Sequence, residues 1–471
     1  MSRSKEYIKN TMILFVGKFV TQFMTFILMP LYTYYLTTSD YGLIDVIQTY
    51  ISLLIPIITL RFDSAVFRFL IDERENEEGQ INIISNVLIL MFIQMILFII
   101  IFIFINNLVG INYGLLILIN VPAIMLSNIL LQVVRGFGRT KDYSIACIIT
   151  GIITLLVNIV LIIVFNWNAG SILIGSTIAN VACSLYIFIR LKVHKYIKIS
   201  SFNMDTLKEL IRFSVPMIPN SLSWWIVNVS DRTIISFALG LATNGIYTVS
   251  CKFSNLLNSI FTIFNMSWQE AASVHINDED RDEFFSSMIN EILVFFISLS
   301  LIILSCIPIA FNLLIGQNYD KSYNYIPILL FANIFNVFLN LVGAIYLAKK
   351  ETKKLANTTI ISAVINIVIN ILFVKKFGLY ATSFSTLIAY LGTLIYRIQD
   401  VKKYVKFKLN LKRFLMSMIL FALVSTSYYV NIMIINYITF VLTFILLVVL
   451  NKTLIEQLIK NMKNKISLKN K

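Results

Sequence analysis

The sequence predicts an all-α polytopic membrane protein with about fourteen transmembrane helices. Hydrophobic residues make up 58% of the 471 residues and charged residues only 13%, which is about half the charged share of a soluble globular protein. Apolar runs long enough to cross a bilayer recur from Ile8 to Leu450. Because backbone hydrogen bonds in lipid are satisfied only within helices or closed barrels, runs of this length indicate helices.

Prolines, glycines and charged clusters bound these apolar runs. The first run continues from Ile8 to Tyr32 without a small-residue cleavage site, so we interpret it as a retained first span. The predicted spans cover residues 9–33, 42–70, 83–105, 111–134, 143–165, 170–189, 212–238, 246–271, 284–311, 326–348, 355–374, 378–396, 414–430 and 435–451.

The lysines and arginines of the connections are distributed very unequally between the two sides of the membrane. One side carries nearly all of them, and the other carries only Lys321, Lys375 and Lys376. The positive-inside rule therefore predicts a multi-pass protein with both termini in the cytoplasm. This topology and contact with anionic lipid head groups account for the net charge of +15, so a nucleic-acid partner is not expected.

An internal repeat divides the chain. Residues 136–170 align with residues 348–382 at an offset of 212, and polar as well as apolar positions match. We expect an N-terminal six-helix bundle at 1–200, a C-terminal six-helix bundle at 201–400, and two extra transmembrane helices with a basic cytoplasmic tail at 401–471. Halves with an even number of spans share their orientation and leave a cleft between them, where transporters bind substrate.

Charged residues inside the predicted spans mark the candidate functional site. An ionised side chain at mid-bilayer costs about 3 kcal/mol, so such groups are expected to face water, each other or a substrate. All of those weighed here lie on the first two helices of each half, which predicts one central cationic cavity. The basic members are Lys18, Arg61, Arg68, Arg232 and Lys252, and the acidic members are Asp63 and Asp231.

Helical spacing favours a polar stripe on each of these spans. Arg61, Ser64, Ala65 and Arg68 follow the spacing of one helix face. Close sequence neighbours such as Arg61 and Asp63 do not face each other on a helix, so we expect their partners on other helices. For Arg68 the alternative is that it extends to the membrane interface near Asp72.

Several polar residues have two interpretations. Asp63 and Asp231 are either structural counter-ions or titrating groups that couple transport to H⁺ or Na⁺. Trp224 and Asn228 lie on the stripe of span 7 and are candidates for sugar contact, although membrane aromatics more often serve packing or interface anchoring. The series Asn333, Asn336 and Asn340 fits interhelical hydrogen bonding at least as well as substrate contact.

Motifs of catalysis are missing from the sequence. It contains no GxxxxGK[ST], HExxH or GxSxG, and its four cysteines lie in apolar runs without paired spacing. We therefore expect neither an enzyme, a cofactor nor a metal site. A membrane-embedded polysaccharide polymerase or ligase remains a further hypothesis, which the lack of a long external loop disfavours.

Segments of this chain resemble the polysaccharide repeat-unit flippases of the multidrug/oligosaccharidyl-lipid/polysaccharide (MOP) exporter superfamily. The resemblance extends over most of the chain. It is carried by 213-FSVPMIPNSLSWWIVNVSDRTIISFALGLATNGIYTVSCKFSNLL-257, 28-LMPLYTYYLTTSDYGLID-45 and 343-GAIYLAKKETK-353.

The resemblance implies a V-shaped fold of two bundles, as in the multidrug exporters, and a place in a bacterial cytoplasmic membrane. It also implies a function, the movement of undecaprenyl-pyrophosphate-linked oligosaccharide from the cytoplasmic to the outer leaflet, with the polymerase and glycosyltransferases of the same synthesis as candidate partners. Lys18, Arg61, Arg232 and Lys252 would form the cationic cavity.

Charge balance agrees with an anionic cargo. Arginine forks and lysine ammonium groups can replace the hydration of a pyrophosphate, and the basic residues weighed above outnumber the two aspartates. An exporter of cationic drugs would instead be expected to show an acidic or aromatic cavity. The alternative function is an ion-coupled small-molecule exporter of the multidrug type on the same fold.

Overall fold

The computed structural model describes residues 17, 20–21, 23–452 and 456, without the side chains of residues 220, 223, 224, 227, 228 and 263. These residues form helices and connections, with no strand among them. Eleven of the described helices are long and apolar enough to cross a membrane. The all-α multi-pass fold is therefore confirmed, whereas the number fourteen stays a prediction.

The chain divides into two compact units, Met1–Thr233 and Ile234–Lys471. The division at 200 and 400 into two six-helix bundles and a C-terminal pair stays a prediction. Helix α1 covers residues 23–35. In the first unit follow α2 (Thr38–Ile58), α3 (Phe62–Asp72), α4 (Glu77–Val109), α5 (Gly114–Gly136), α6 (Thr140–Ile159) with a π-helical extension (Val160–Val164), α7 (Gly170–Leu191) and α8 (Met204–Ser214).

Helix α9 (Ile218–Leu239) begins in the first unit and ends in the second. The second unit then contains α10 (Leu241–His275), α11 (Arg281–Leu314), α12 (Ile326–Ala348), α13 (Thr352–Phe377), α14 (Leu379–Val401), α15 (Leu411–Val430) and α16 (Met433–Leu450). Short 3₁₀ helices lie at Val193–Tyr196, Ile199–Ser201, Val215–Met217 and Gln317–Tyr325.

The predicted span 42–70 is wrong as a single helix. Pro56 lies in the last turn of α2 and cannot donate a backbone hydrogen bond. Leu60 and Arg61 then adopt left-handed conformations with φ of 49° and 60°, which ends α2 and starts α3 in a new direction. Side chains before and after the break therefore do not share one helix face.

Corresponding helices pack alike within each unit. In the first unit α7 packs against both α5 and α6, and in the second α14 packs against both α12 and α13. Helices α6 and α13 begin at Thr140 and Thr352, the offset found in the sequence. Asn158 and Asn370, which the repeat aligns, are both fully buried on these helices. The structure thus repeats a three-helix arrangement at the positions that the sequence indicated.

Candidate functional site

Arg61 lies at the break between α2 and α3, where its residue caps the start of α3. Its guanidinium Nη2 donates a hydrogen bond of 2.6 Å to the hydroxyl of Ser64. Its Nε is buried and has no hydrogen-bond partner among the described residues. The left-handed backbone turns this side chain back over the first turn of α3, so that one of its donors remains available for another acceptor.

The expectation that Arg61 finds its partner on another helix is wrong. Oδ2 of Asp63 lies 3.6 Å from Nη2 of Arg61, and the two side chains are 28% and 24% exposed. This proximity arises because Arg61 precedes the helix instead of lying within it. The distance is longer than a good charge-assisted hydrogen bond, so Asp63 balances the charge of Arg61 without saturating its donors.

The predicted stripe on this span is only partly present. Ser64 contacts Arg61, but Ala65 is fully buried. Arg68 is half exposed and forms an ion pair of 2.6 Å with Asp72. Arg68 thus lies next to Asp72, as its alternative interpretation expected, and it does not share the surroundings of Arg61. Its position at the membrane interface stays a prediction.

Arg232 on α9 faces α2 within the first unit. Its Nε lies 2.9 Å from Oδ2 of Asp45, and the two side chains are only 15% and 13% exposed. Two turns earlier on α9, Nε1 of Trp225 donates to the carbonyl oxygen of Thr49. The expectation of a partner for Arg232 on another helix is confirmed, because the pair joins α9 to α2.

Asp45 was missed as a site residue. It belongs to the segment 40-DYGLID-45 in the first part of α2 and lies inside the predicted span 42–70. Glu270 and Glu291 likewise lie inside the predicted spans 246–271 and 284–311. The predicted excess of basic over acidic residues in the spans is therefore too large. The sequence did contain a signal for Asp45, because an aspartate among the apolar residues of a membrane helix requires a partner.

The structure describes the side chains of only some of the remaining predicted site residues. Asp231 is buried on α9, and Lys252 is half buried on α10 of the second unit. Lys18 lies outside the described residues. Trp224 and Asn228 lie on α9, but their side chains are outside the described part of the structure. One cavity shared by Lys18, Arg61, Arg232 and Lys252 stays a prediction.

The asparagine series of span 10 makes interhelical contacts. Asn333 donates to the carbonyl oxygen of Ser254, and Asn258 donates to Oδ1 of Asn333 at 2.8 Å. Asn336 donates to Asn258 in turn. The interpretation as interhelical hydrogen bonding is confirmed for the first two members, which hold α12 to α10, while Asn340 bonds to Asn336 on its own helix.

Arg397 is a buried cation that the sequence placed in a basic loop. It lies within α14 and is 1% exposed. Its guanidinium donates to the hydroxyls of Thr358 and Thr359 and to the carbonyl oxygens of Leu339 and Leu355. These four contacts join α14 to α12 and α13, so Arg397 is part of the core of the second unit.

The end of α14 carries a second polar network. Asp400 accepts a hydrogen bond of 3.0 Å from the hydroxyl of Tyr346 and pairs with Lys403 at 2.6 Å. The hydrogen bond from Lys403 to the carboxylate of Asp400 raises the pKa of Lys403 above its ordinary value. The described residues include no group of three His, Cys, Asp or Glu side chains that is arranged to hold a metal ion.

Long apolar helices with charged residues paired among them define this protein as a multi-pass membrane protein. Residues 7–269 match the sequence model of a family described as "Polysaccharide biosynthesis protein". Because the match covers more than half of the chain, the chain belongs to this family. Among curated proteins, none matches it.

Solved structures share the fold over nearly the whole chain. A lipid II flippase MurJ in an inward closed conformation is 18% identical, with a TM-score of 0.69 and coverage of 96% of this chain and 100% of that chain. An inward-facing multidrug resistance MATE family transporter of the MOP superfamily is 14% identical, with a TM-score of 0.68 and coverage of 88% and 99%.

A third solved structure is a MOP superfamily transporter from Pyrococcus furiosus, which is 14% identical with a TM-score of 0.59 and coverage of 84% and 95%. Identities this low show the fold alone. The chain has the fold of the MOP superfamily, and the resemblance inferred from its sequence is confirmed.

Proposed function

We propose that this protein is a flippase that moves undecaprenyl-pyrophosphate-linked oligosaccharide repeat units from the cytoplasmic to the outer leaflet by alternating access, for the synthesis of a surface polysaccharide. Its membership of a polysaccharide biosynthesis family supports the pathway. The likeness of its fold to a lipid II flippase supports the movement of a lipid-linked saccharide. The proposal includes a bacterial cytoplasmic membrane with both termini in the cytoplasm.

The observation that carries the proposal is the state of Arg61. Its Nε has no partner among the described residues, and Asp63 stays 3.6 Å away. A guanidinium with free donor capacity suits the two charges of a pyrophosphate, which it can bind through a planar fork. The role of Arg61 is therefore to receive the anionic head group.

The two charged positions of α2 suggest a direction for transport. Helix α2 has 21 residues and is about 30 Å long, enough to cross the hydrocarbon core. In the proposed orientation Arg61 follows its cytoplasmic end, whereas Asp45 and Arg232 lie near its outer end. The pyrophosphate would bind Arg61 first and compete with Asp45 for Arg232 later.

The other predicted residues complete this proposal. Lys18 and Lys252 add cationic groups to the path, and Asp63 and Asp231 act as counter-ions or couple transport to H⁺ or Na⁺. Trp224 and Asn228 contact the sugar. The lipid tail stays in the bilayer, no covalent bond of the cargo changes, and the polymerase and glycosyltransferases of the same synthesis act before and after this step.

Arg61 and Arg68 offer a matched test. Arg61→Gln should lower the rate of appearance of lipid-linked saccharide in the outer leaflet by roughly 10-fold or more, since a hydrogen bond to a charged group contributes about 1.5–3 kcal/mol. Arg68→Gln changes a half-exposed arginine on α3, the short helix that follows Arg61, and should leave transport near that of the wild type. The measurement is the leaflet distribution of lipid-linked saccharide in membrane vesicles.

Each failure has a distinct meaning. Wild-type transport in Arg61→Gln would refute the assignment of the head-group site. Absence of any lipid-linked saccharide from the cytoplasmic leaflet of cells that lack the protein would refute the flippase itself.

A second candidate function is an ion-coupled small-molecule exporter of the multidrug type. Asp63 lies beside Arg61, Asp45 pairs with Arg232, and Asp231 directly precedes Arg232 in the sequence. Transporters of the MATE family share the fold. Drug efflux from vesicles without lipid-linked sugar that is lost in Asp231→Asn would favour this candidate over the flippase.

A further inference from the structure

The connection between α7 and α8 is an ordered segment, which we call the first strap (residues 192–203). Helix α7 ends at Leu191, and Lys192 adopts a left-handed conformation with φ of 54°. The strap is then fixed to α4: the hydroxyl of Ser85 donates to the carbonyl oxygen of Tyr196 and accepts from the backbone N–H of Lys198. Further along, the N–H of Asn203 donates to Oδ1 of Asn86.

This fixed backbone presents apolar side chains outward. Ile199 is 82% exposed, Met204 is 55% exposed and Phe202 is 38% exposed. Exposed apolar residues on an ordered segment often mark a surface that contacts a membrane or a protein partner. Because Ser85 and Asn86 are buried and hold the strap in place, these exposures belong to its ordered state.

Basic side chains surround the apolar ones. Lys192, Lys195 and Lys198 are all exposed. The nearby carboxylates of Asp142 and Asp205 pair with other residues, Arg190 and Lys208. The first strap thus combines an apolar wedge with ammonium groups, the pattern of segments that lie in the interface of an anionic membrane.

A second strap (residues 402–410) follows α14 in the second unit and serves as an internal comparison. Its sequence 403-KYVKF-407 matches 195-KYIKI-199 of the first strap. Its backbone N–H groups at Lys406, Lys408 and Asn410 donate to Asp282, Ser286 and Asn290 of α11. Here, however, Val405 and Phe407 are buried, at 0% and 6% exposed.

We propose that the first strap, together with Met204 at the start of α8, is an interfacial binding site for anionic phospholipid. Ile199, Phe202 and Met204 enter the acyl boundary, and Lys192, Lys195 and Lys198 hold the lipid phosphates. The second strap shares the backbone contacts and the charge pattern, but its Phe407 is buried where Ile199 is exposed, so it does not insert at this position. The site does not depend on the cargo that the protein moves.

The position of the strap along α4 supports this occupant. Helix α4 has 33 residues and is about 50 Å long, which exceeds the hydrocarbon core of about 30 Å. Ser85 and Asn86 lie between two and three turns from the start of α4, within about 14 Å of that end, so a helix of this length can place the strap at the edge of the hydrocarbon core. Each lysine near an anionic surface adds roughly a five-fold preference for anionic over neutral lipid.

Bromine quenching of tryptophan tests the proposal in the full-length protein. Ile199→Trp places a reporter on the wedge, and Phe407→Trp places one at the matched buried position of the second strap. Each variant is measured in nanodiscs of equimolar phosphatidylglycerol and phosphatidylcholine, with bromine on the acyl chains of one lipid or the other and with the parent spectrum subtracted.

We expect quenching at position 199 and little at position 407, with stronger quenching by brominated phosphatidylglycerol. Changing Lys192, Lys195 and Lys198 together to Gln should remove this preference, an effect on the order of 100-fold in local lipid enrichment if the three contributions multiply. If Ile199→Trp does not fold, Met204→Trp reports on the same surface.

Two results would overturn the proposal. Equal quenching by both lipids would show insertion without recognition of an anionic head group. Absence of quenching at 199 and 204 would show that the strap lies in water, where a protein partner would be the better occupant. Because none of these measurements uses transport, a failure here is separate from a failure of the flippase proposal.

Discussion

Nε of Arg232 on α9 lies 2.9 Å from Oδ2 of Asp45 on α2, and both side chains are mostly buried. Loss of either partner leaves a charge in apolar surroundings, which costs about 3–5 kcal/mol for a buried pair. We predict that Asp45→Asn and Arg232→Gln each lower the thermal stability of the protein in detergent, and that the double variant regains part of the loss.

The pair of Arg68 and Asp72 provides the control for this cycle. It is 2.6 Å long but its side chains are 50% and 62% exposed, and exposed pairs contribute only about 0–1 kcal/mol. The variants Arg68→Gln and Asp72→Asn should unfold close to the wild type. Additive losses in the double variant of Asp45 and Arg232 would contradict a direct interaction between them.

The contrast between Arg61 and Arg232 shows which features of the structure can be predicted from the sequence. Apolar runs bounded by prolines and glycines located the helices, and the spacing of spans and matching residues located the repeat. Pro56 marks a possible break or kink in the sequence, but the left-handed conformations of Leu60 and Arg61 could not be predicted, because neither residue is a glycine. On an unbroken helix, residues two positions apart do not face each other. The sequence therefore predicted that Asp63 would not contact Arg61.

Close packing at Gly136 positions the helix that follows Arg61. A Cβ atom at Gly136 would lie 2.6 Å from Cβ of Leu70, and Leu70 is fully buried on α3. Because a Cβ atom cannot move without its backbone, Gly136→Ala should push α3 away from α5. We predict a loss of about 1–3 kcal/mol in stability, measured by thermal unfolding.

Gly392 is the matched control for this substitution. It lies inside α14, and a Cβ atom there would meet nothing within 4 Å. Gly392→Ala should be neutral or stabilising by about 0.5–1 kcal/mol, since alanine is the better helix former. Equal behaviour of the two variants would contradict the close approach of α3 and α5.

Arg397 illustrates why a charge count cannot separate a loop cation from a core cation. Its guanidinium makes four hydrogen bonds to hydroxyl and carbonyl oxygens of two other helices. Lysine cannot reproduce this fork. We therefore predict that Arg397→Lys destabilises the second unit by about 2–4 kcal/mol, through lost hydrogen bonds and acceptors left unpaired, as measured by thermal unfolding.

A neighbouring basic residue gives the comparison for Arg397. Lys402 follows α14 directly and is exposed, so Lys402→Gln should leave the unfolding temperature unchanged. The sequence does not distinguish Arg397 from Lys402, because both belong to one basic cluster. Helix α14 continues to Val401, beyond the predicted boundary at 396. Arg397 therefore lies within the helix and in the core of the second unit.

The last prediction concerns the attachment of the C-terminal helix pair. Arg413, at the start of α15, places Nη1 2.5 Å from Oε1 of Glu291 on α11, and its Nη2 donates to the carbonyl oxygen of Leu450 at the end of α16. One guanidinium thus joins three helices of the second unit. Arg413→Gln should weaken this joint by about 1–3 kcal/mol, and protease should then cleave the 402–410 segment faster.

The neighbouring pair of Arg281 and Asp282 distinguishes this joint from a general loss of surface charge. Arg281 is 42% exposed and lies 3.7 Å from Asp282, so Arg281→Gln should not change the cleavage rate. Glu291→Gln combined with Arg413→Gln should recover part of the lost protection, because neither side chain then leaves a charge unpaired. Faster cleavage in Arg281→Gln than in Arg413→Gln would refute the role of Arg413.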